Sequence, residues 1–497
     1  MKSIKVLVFV WFAMIASGAF ADVSIKPPFG EHMVLQQGAK VPLWGTAAPG
    51  EKVTVKFADQ SVEAVTDANG KWRLELATLR ASAEPRELVV SGNNTVTLTD
   101  VLVGEVWICS GQSNMQLTQS ETLNAAVEAK AANYPRIRMF AAEKNFAASP
   151  IDDIDGNWLV CSPQSVGGFT GVGYFFARDL HKTLNVPVGL INIPWGGLRA
   201  EPFVSLAWLK QMPSFKQRAD EYETYWTEKR AKRAAALAAG VDPRKAPKIP
   251  ASDNSDITAV YNAMVHPLAP YAVRGTAWYQ GESNGDDPEH YQELLTGLIS
   301  CWRQEWTMPD MPFCIVQLAN FKTRVNTPIE LKSWADLRDA QWRTAQTVSH
   351  TGMVTAIDVG EEGIHPKDKI TVGNRISRWA QAQVYGKQIE WSGPTFKSMK
   401  VDGGQAIITF DHAEGLKQKG DALPSFAIAG SDHAFYAADG KVEGSTVVLT
   451  CAKVAEPVAV RYAWKFNPAC ALYNGDDLPA LPFRTDDWSA GDVKVGK

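Results

Sequence analysis

The sequence predicts an α/β layer fold with a parallel sheet, flanked on both sides by β-sandwich-like domains. Three observations predict it. Between about 104 and 388, short buried-strand runs alternate with helical stretches, the pattern of an α/β layer. Before and after that span the helical stretches disappear, and short alternating runs sit between Gly, Pro and Asn turns. Finally, 497 residues exceed one ordinary core, so two or three domains are expected.

Residues 1–21 read as an export leader. Lys2 and Lys5 give a positive start, residues 6–15 an apolar run, and Ala19-Phe20-Ala21 the small-x-small pattern before a cut. The expected mature chain begins at Asp22, secreted or periplasmic, with no membrane attachment after cleavage. The apolar run is shorter than the ~20 residues a spanning helix needs.

Residues 22–102 form the expected N-terminal β-domain. Alternation is clear at 52–57 and 71–76, with turns at Pro49-Gly50 and Asn69-Gly70. A role in carbohydrate binding and a role in packing are both open.

Residues 103–388 form the expected catalytic domain. Strands are predicted at 186–193, ending in Pro194-Trp195-Gly196-Gly197, and at 275–279, ending in Gln280-Gly281-Glu282; 312–318 and 353–357 are two more. A charge-rich helical excursion covers about 206–255 and closes with a Pro-rich loop. From 389 to 497 the pattern is β again, with strands expected at 406–410, 425–429, 446–449 and 458–463.

Composition narrows the function. The chain is 45% hydrophobic and 21% charged with a net charge of −4 and no long run of either sign, which removes the basic face expected of a nucleic-acid binder. The six cysteines match no zinc ribbon or finger, and neither a metal nor an organic cofactor is expected. In an oxidising compartment they can pair. Cys451 and Cys470 are the favoured pair, and buried free thiols are the alternative for the rest.

Ligands of an open parallel sheet bind beyond the carboxyl ends of its strands, and three predicted strand ends carry polar residues. The first is Gly111-Gln112-Ser113-Asn114-Met115, which places the Ser113 hydroxyl at a helix start, beside free backbone N–H groups. Local physics equally allows an ordinary Ser N-cap. The second is Trp195-Gly196-Gly197, whose glycines permit close backbone approach. The third is Gln280-Gly281-Glu282-Ser283-Asn284, where Gln280 or Asn284 offers an amide donor and Glu282 a carboxylate.

A serine nucleophile needs a base. His32, His412 and His433 lie in the β-domains, His181, His290 and His350 in solvated segments, and His266 in a packed run. His365 follows a predicted strand in a Gly-punctuated loop. Glu362, three residues earlier, is spaced to accept from its Nδ1–H and leave Nε2 facing the serine.

Gly-Gln-Ser-Asn-Met (111–115), Trp-Gly-Gly (195–197), Trp-Tyr-Gln-Gly-Glu-Ser-Asn (278–284) and Ile-His-Pro-Lys-x-Lys (364–369), in that order, resemble the sialate O-acetylesterase family of the SGNH hydrolase superfamily. The flanks at 32–36, 41–45 and 461–464 resemble it too, so the likeness covers nearly the whole mature chain. It implies an SGNH-type parallel-sheet domain and a serine esterase acting on acetylated carbohydrate, a sialoglycan or a polysaccharide such as acetylxylan. It also implies that Ser113 is the nucleophile and His365 the base, with an oxyanion hole from Ser113, Gly197 and Gln280. Two departures stand out. Glu362 replaces the usual Asp, leaving the acid open between Glu362, Glu282 and Asp358, or absent in a dyad. Leu198 stands where relatives often have Thr. A carbohydrate-binding protein on a degenerate scaffold is the rival expectation, supported by 17 tryptophans able to stack on sugar rings.

Overall fold

The computed structural model describes residues 22–248 and 252–496; the leader expected at 1–21 lies outside the described residues. The central sheet is built from β1 (Thr95–Gly111), β2 (Ile137–Ala142), β3 (Gly156–Val160), β4 (Val188–Asn192), β5 (Gly275–Tyr279), β6 (Phe313–Gln317) and β7 (Thr351–Thr355). Their order is β7-β6-β5-β1-β4-β2-β3, and every neighbouring pair is parallel except β2–β3. The predicted strands at 186–193, 275–279 and 312–318 match β4, β5 and β6. That at 353–357 starts two residues late, because β7 begins at the half-buried Thr351.

Strand β1 shows how sequence sets context. Its first residues, Thr95-Val96-Thr97-Leu98-Thr99, alternate polar and apolar and are at most half-buried. From Val101 to Gly111 every residue is buried, as expected of a strand covered on both faces. The outer half pairs antiparallel with Ser82–Ser91, and the inner half pairs with β4 and β5. The boundary expected after residue 102 thus falls inside one unbroken strand, and N-terminal residues such as Val34 and Leu43 share a core with Trp107 and Trp278.

Helices follow the strands: α1 (Ser113–Gln116), α2 (Gly171–Leu184), α3 (Pro213–Ala238), α4 (Pro288–Glu305), α5 (Trp334–Thr347) and α6 (Lys369–Gln383). Phe176 of α2 and Trp379 of α6 meet Trp107 on one face of the sheet. Trp107 is paired with Gly275, so Trp278, three residues further along β5, points to the other face. There it meets Trp302 of α4. Helix α3 buries only Phe215, Ala219 and Trp226, consistent with the expected surface excursion. No helix among the described residues is long and apolar enough to cross a membrane.

Beyond Trp391 the described chain forms two larger β-sheets and a short two-stranded pair, Lys417–Gln418 with Leu472–Tyr473. One larger sheet is Thr395–Asp402, Gln405–Asp411, Thr446–Thr450 and Asp439–Glu443; the other centres on Phe426–Ala429 and Ala459–Tyr462. Ile408, Phe426, Tyr462 and Phe483 fill the core they share. Arg338 of α5, fully buried, donates to the carbonyls of Lys465 (2.7 Å) and Phe466 (3.0 Å), fastening this region to the central layer. The expected Cys451–Cys470 disulfide is not formed: all six cysteines are free thiols.

Candidate active site

The chain order reverses across β1, whose neighbours β4 and β5 open toward opposite edges of the sheet. Such a switch point leaves a crevice at the strand ends. Three loops meet there. Gly111, at φ +130°, lets the β1 end pass against β5: a Cβ there would sit 2.1 Å from the Tyr279 carbonyl oxygen. The chain then turns through Gln112 into α1, which Ser113 opens. A Cβ on Gly196 would lie 3.3 Å from Ser113 Cβ, so the Trp195-Gly196-Gly197 turn rests directly on the serine.

His365 comes from the loop between β7 and α6. Its Nε2 lies 2.8 Å from Ser113 Oγ. The imidazole is exposed and the serine half-buried. Partial desolvation by the crevice walls and the nearby Lys369 ammonium hold the imidazole below its ordinary value, while Glu121 opposes them. A neutral imidazole within hydrogen-bond reach of a hydroxyl is the geometry of general-base activation.

The amide groups around the serine divide clearly. Gly196 N–H donates to Gln116 Oε1 (2.7 Å), which also accepts from Lys144 Nζ (2.8 Å). The N–H groups of Ser113 and Gly197 have no partner among the described residues. Gln280 is different. It is fully buried, its amide nitrogen donates to Leu198 O (3.2 Å) and Asn284 Oδ1 (2.7 Å), and its oxygen accepts from Tyr291 (2.7 Å). With both N–H bonds so used, Gln280 braces the loops instead of facing an oxyanion. Asn284 is likewise tied to Ala200 N and Glu201 Oε2.

No carboxylate among the described residues reaches Nδ1 of His365. Glu362 is exposed and makes no hydrogen bond among the described residues, because its loop carries it outward. Asp358 makes a two-point ion pair with Arg375 (2.7 and 2.9 Å). Glu282 Oε1 accepts from Asn114 (2.5 Å), and its other oxygen is buried without a partner. The structure therefore brings together Ser113, His365 and Gly197 and leaves all three candidate acids off the histidine.

The family model described as carbohydrate esterase, sialic acid-specific acetylesterase, matches residues 103–235 and 251–388, more than half of the chain. The chain belongs to that family. Sialate O-acetylesterases from Mus musculus and Homo sapiens are each 28% identical to it; the first match covers 91% of this chain and 92% of the mouse protein, the second 91% and 90%. A carbohydrate acetylesterase from Xanthomonas citri superposes with a TM-score of 0.82 at 33% identity, covering 94% of this chain and all of that one. Within this acetylesterase family member, the four motifs that span the chain converge on one crevice. Four residues escaped the sequence reading: Gln112, Asn114, Gln116 and Lys369. Gln112 Oε1 accepts from Gly281 N (3.4 Å) and Ser283 N (3.2 Å), joining the serine turn to the β5 loop. Each lies inside or next to a recognised motif, which was the one available signal.

Proposed function

We propose that this esterase removes O-acetyl groups from carbohydrates through a Ser113–His365 dyad, on an SGNH-type layer, after export and cleavage behind Ala21. The observation that carries the reading is the 2.8 Å contact between His365 Nε2 and Ser113 Oγ beside two unpartnered backbone amides. Ser113 Oγ attacks the acetyl carbonyl as its proton passes to His365 Nε2. The Ser113 and Gly197 N–H groups receive the oxyanion, and His365 then protonates the departing sugar oxygen. Water, deprotonated by the same imidazole, releases acetate and restores the serine.

A sugar substrate fits the walls of the crevice. Trp195 adjoins the nucleophile, with the exposed Phe146 ring 6.1 Å and the Lys144 ammonium 5.2 Å from it. Aromatic faces beside polar groups suit sugar rings. The test is acetate release from O-acetylated sialic acid and from acetylated xylan by the wild-type protein and by Ser113→Ala. Release by the first and not the second supports the reading, and the better substrate names the class. Failure on both substrates overturns it.

A further inference from the structure

Three recognised motifs each place one side chain beneath the dyad, and none of these touches the reacting atoms. Asn114 follows the nucleophile, Glu282 closes the Gln-Gly-Glu stretch, and Lys369 ends Ile-His-Pro-Lys-x-Lys. Lys369 Nζ donates to Asn114 Oδ1 (2.5 Å). The Asn114 amide nitrogen donates to Glu282 Oε1 (2.5 Å) and to the carbonyl of Ile364 (3.0 Å), the residue before the base. Lys369 and Asn114 are each 1% exposed.

We propose that the Lys369–Asn114–Glu282 chain positions the dyad in place of a triad carboxylate, by clamping the histidine loop to the serine turn. The proposal rests on the serine-esterase reading above. One Asn114 side chain links the segment carrying the nucleophile to the segment carrying the base. Its amide has two N–H donors and a carbonyl acceptor, and all are used only in one orientation. Lys369 fixes that orientation, since only the oxygen end accepts from an ammonium. Glu282 fixes the other end.

The charges around the chain agree with this role. Facing Lys369 are Glu282 after β5, Glu361 and Asp368 in its own loop, and Glu121 from the segment after α1; the Tyr279 ring lies 5.5 Å away. Burial moves the lysine down to about 7 and Glu282 upward, each toward its neutral form. Lys369 makes no ion pair among the described residues, so its burial is costly, and its hydrogen bond to Asn114 is what offsets that cost.

Two variants test the inference. Lys369→Met fills much of the same space with an apolar chain and removes the donor to Asn114 Oδ1. Asn114→Asp keeps the acceptor for Lys369 but loses both donations and sets a carboxylate against Glu282. The readouts are the rate at which a fluorophosphonate labels Ser113, which does not depend on the natural substrate, and the His365 titration followed by NMR with labelled histidine. Both variants are expected to fold and to label about 10- to 100-fold more slowly, the scale of a small misplacement of reacting groups. In Lys369→Met, His365 is also expected to titrate at higher pH, because a neighbouring cation is gone. Wild-type labelling rates in both variants with an unmoved His365 titration would overturn the proposal. Should the wild-type protein label but release no acetate from any acetylated sugar, the substrate reading fails and this one stands. Should it not label at all, the His365 titration alone decides.

Discussion

His365 Nε2 stands 2.8 Å from Ser113 Oγ across 252 residues of chain, and no carboxylate among the described residues supports the other side of the imidazole. An imidazole whose ordinary value is 6.5 is thereby left under partial burial and the Lys369 charge, both of which favour its neutral form.

The pH dependence of the enzyme follows from that arrangement. In the proposed mechanism His365 works when neutral, and its protonation is made harder in the folded protein. The acidic limb of kcat/KM is therefore expected below pH 6.5, with activity retained in mild acid. A pH–rate profile with a small acetyl ester measures it; a limb above 6.5 would mean that a carboxylate supports the imidazole.

Removing Glu362 is expected to matter little. A triad acid is worth roughly 10⁴ in kcat, whereas an exposed carboxylate without contacts should change kcat/KM by less than about twofold on conversion to Gln. Steady-state kinetics of Glu362→Gln separate the two.

Asp358→Asn should instead lower stability. The substitution breaks the two-point pair with the buried Arg375 and leaves a guanidinium short of its partner, a loss of about 3–5 kcal/mol. Denaturant unfolding measures the loss, and a drop in kcat with unchanged stability would return Asp358 to the chemistry.

Much of this site was legible in the sequence, for physical reasons. Ser113, Gly197 and His365 follow predicted strands, where polar and glycine residues have no place in an apolar core and must serve a turn or a ligand. What failed was orientation. Glu362 has the spacing of a triad acid, but spacing cannot say which way a loop turns, and this one turns the carboxylate to water. Gln280 looked like a free donor until the fold supplied Leu198 O and Asn284 to take its N–H groups. Lys369 enters the sequence only as the last residue of a motif; the meeting of three distant motifs shows it to be buried. The unbroken β1 was hidden in the same way, because a change from alternating to continuous burial looks like a domain boundary.

Gln280→Leu tests its reassignment as a brace. Asn284 Oδ1 keeps the Ala200 N–H and Tyr291 O–H keeps the carbonyl of residue 280, but Leu198 O loses its donor in a buried setting, at about 1–3 kcal/mol. Tm is expected to fall. A variant of wild-type Tm whose kcat drops 10²–10³-fold would restore Gln280 to the oxyanion hole.

Lys369 should make stability depend on pH with a definite sign. Its folded value, about 7, lies below the unfolded 10.5, so the unfolded chain binds more protons between these limits. The cost of burying it is fully present below pH 7 and fades as pH rises toward 10.5. The stability of Lys369→Met relative to wild type is therefore expected to be higher at pH 6 than at pH 10, read from denaturant melts at both.

The most direct measurement is to quench the enzyme during turnover of an acetyl ester and map any covalent adduct by mass spectrometry. A single acetyl group on the peptide carrying Ser113, absent in Ser113→Ala and still present when Glu362 is Gln, is the expected result. Undiminished turnover by Ser113→Ala, or an acetyl group on any other residue, would contradict it.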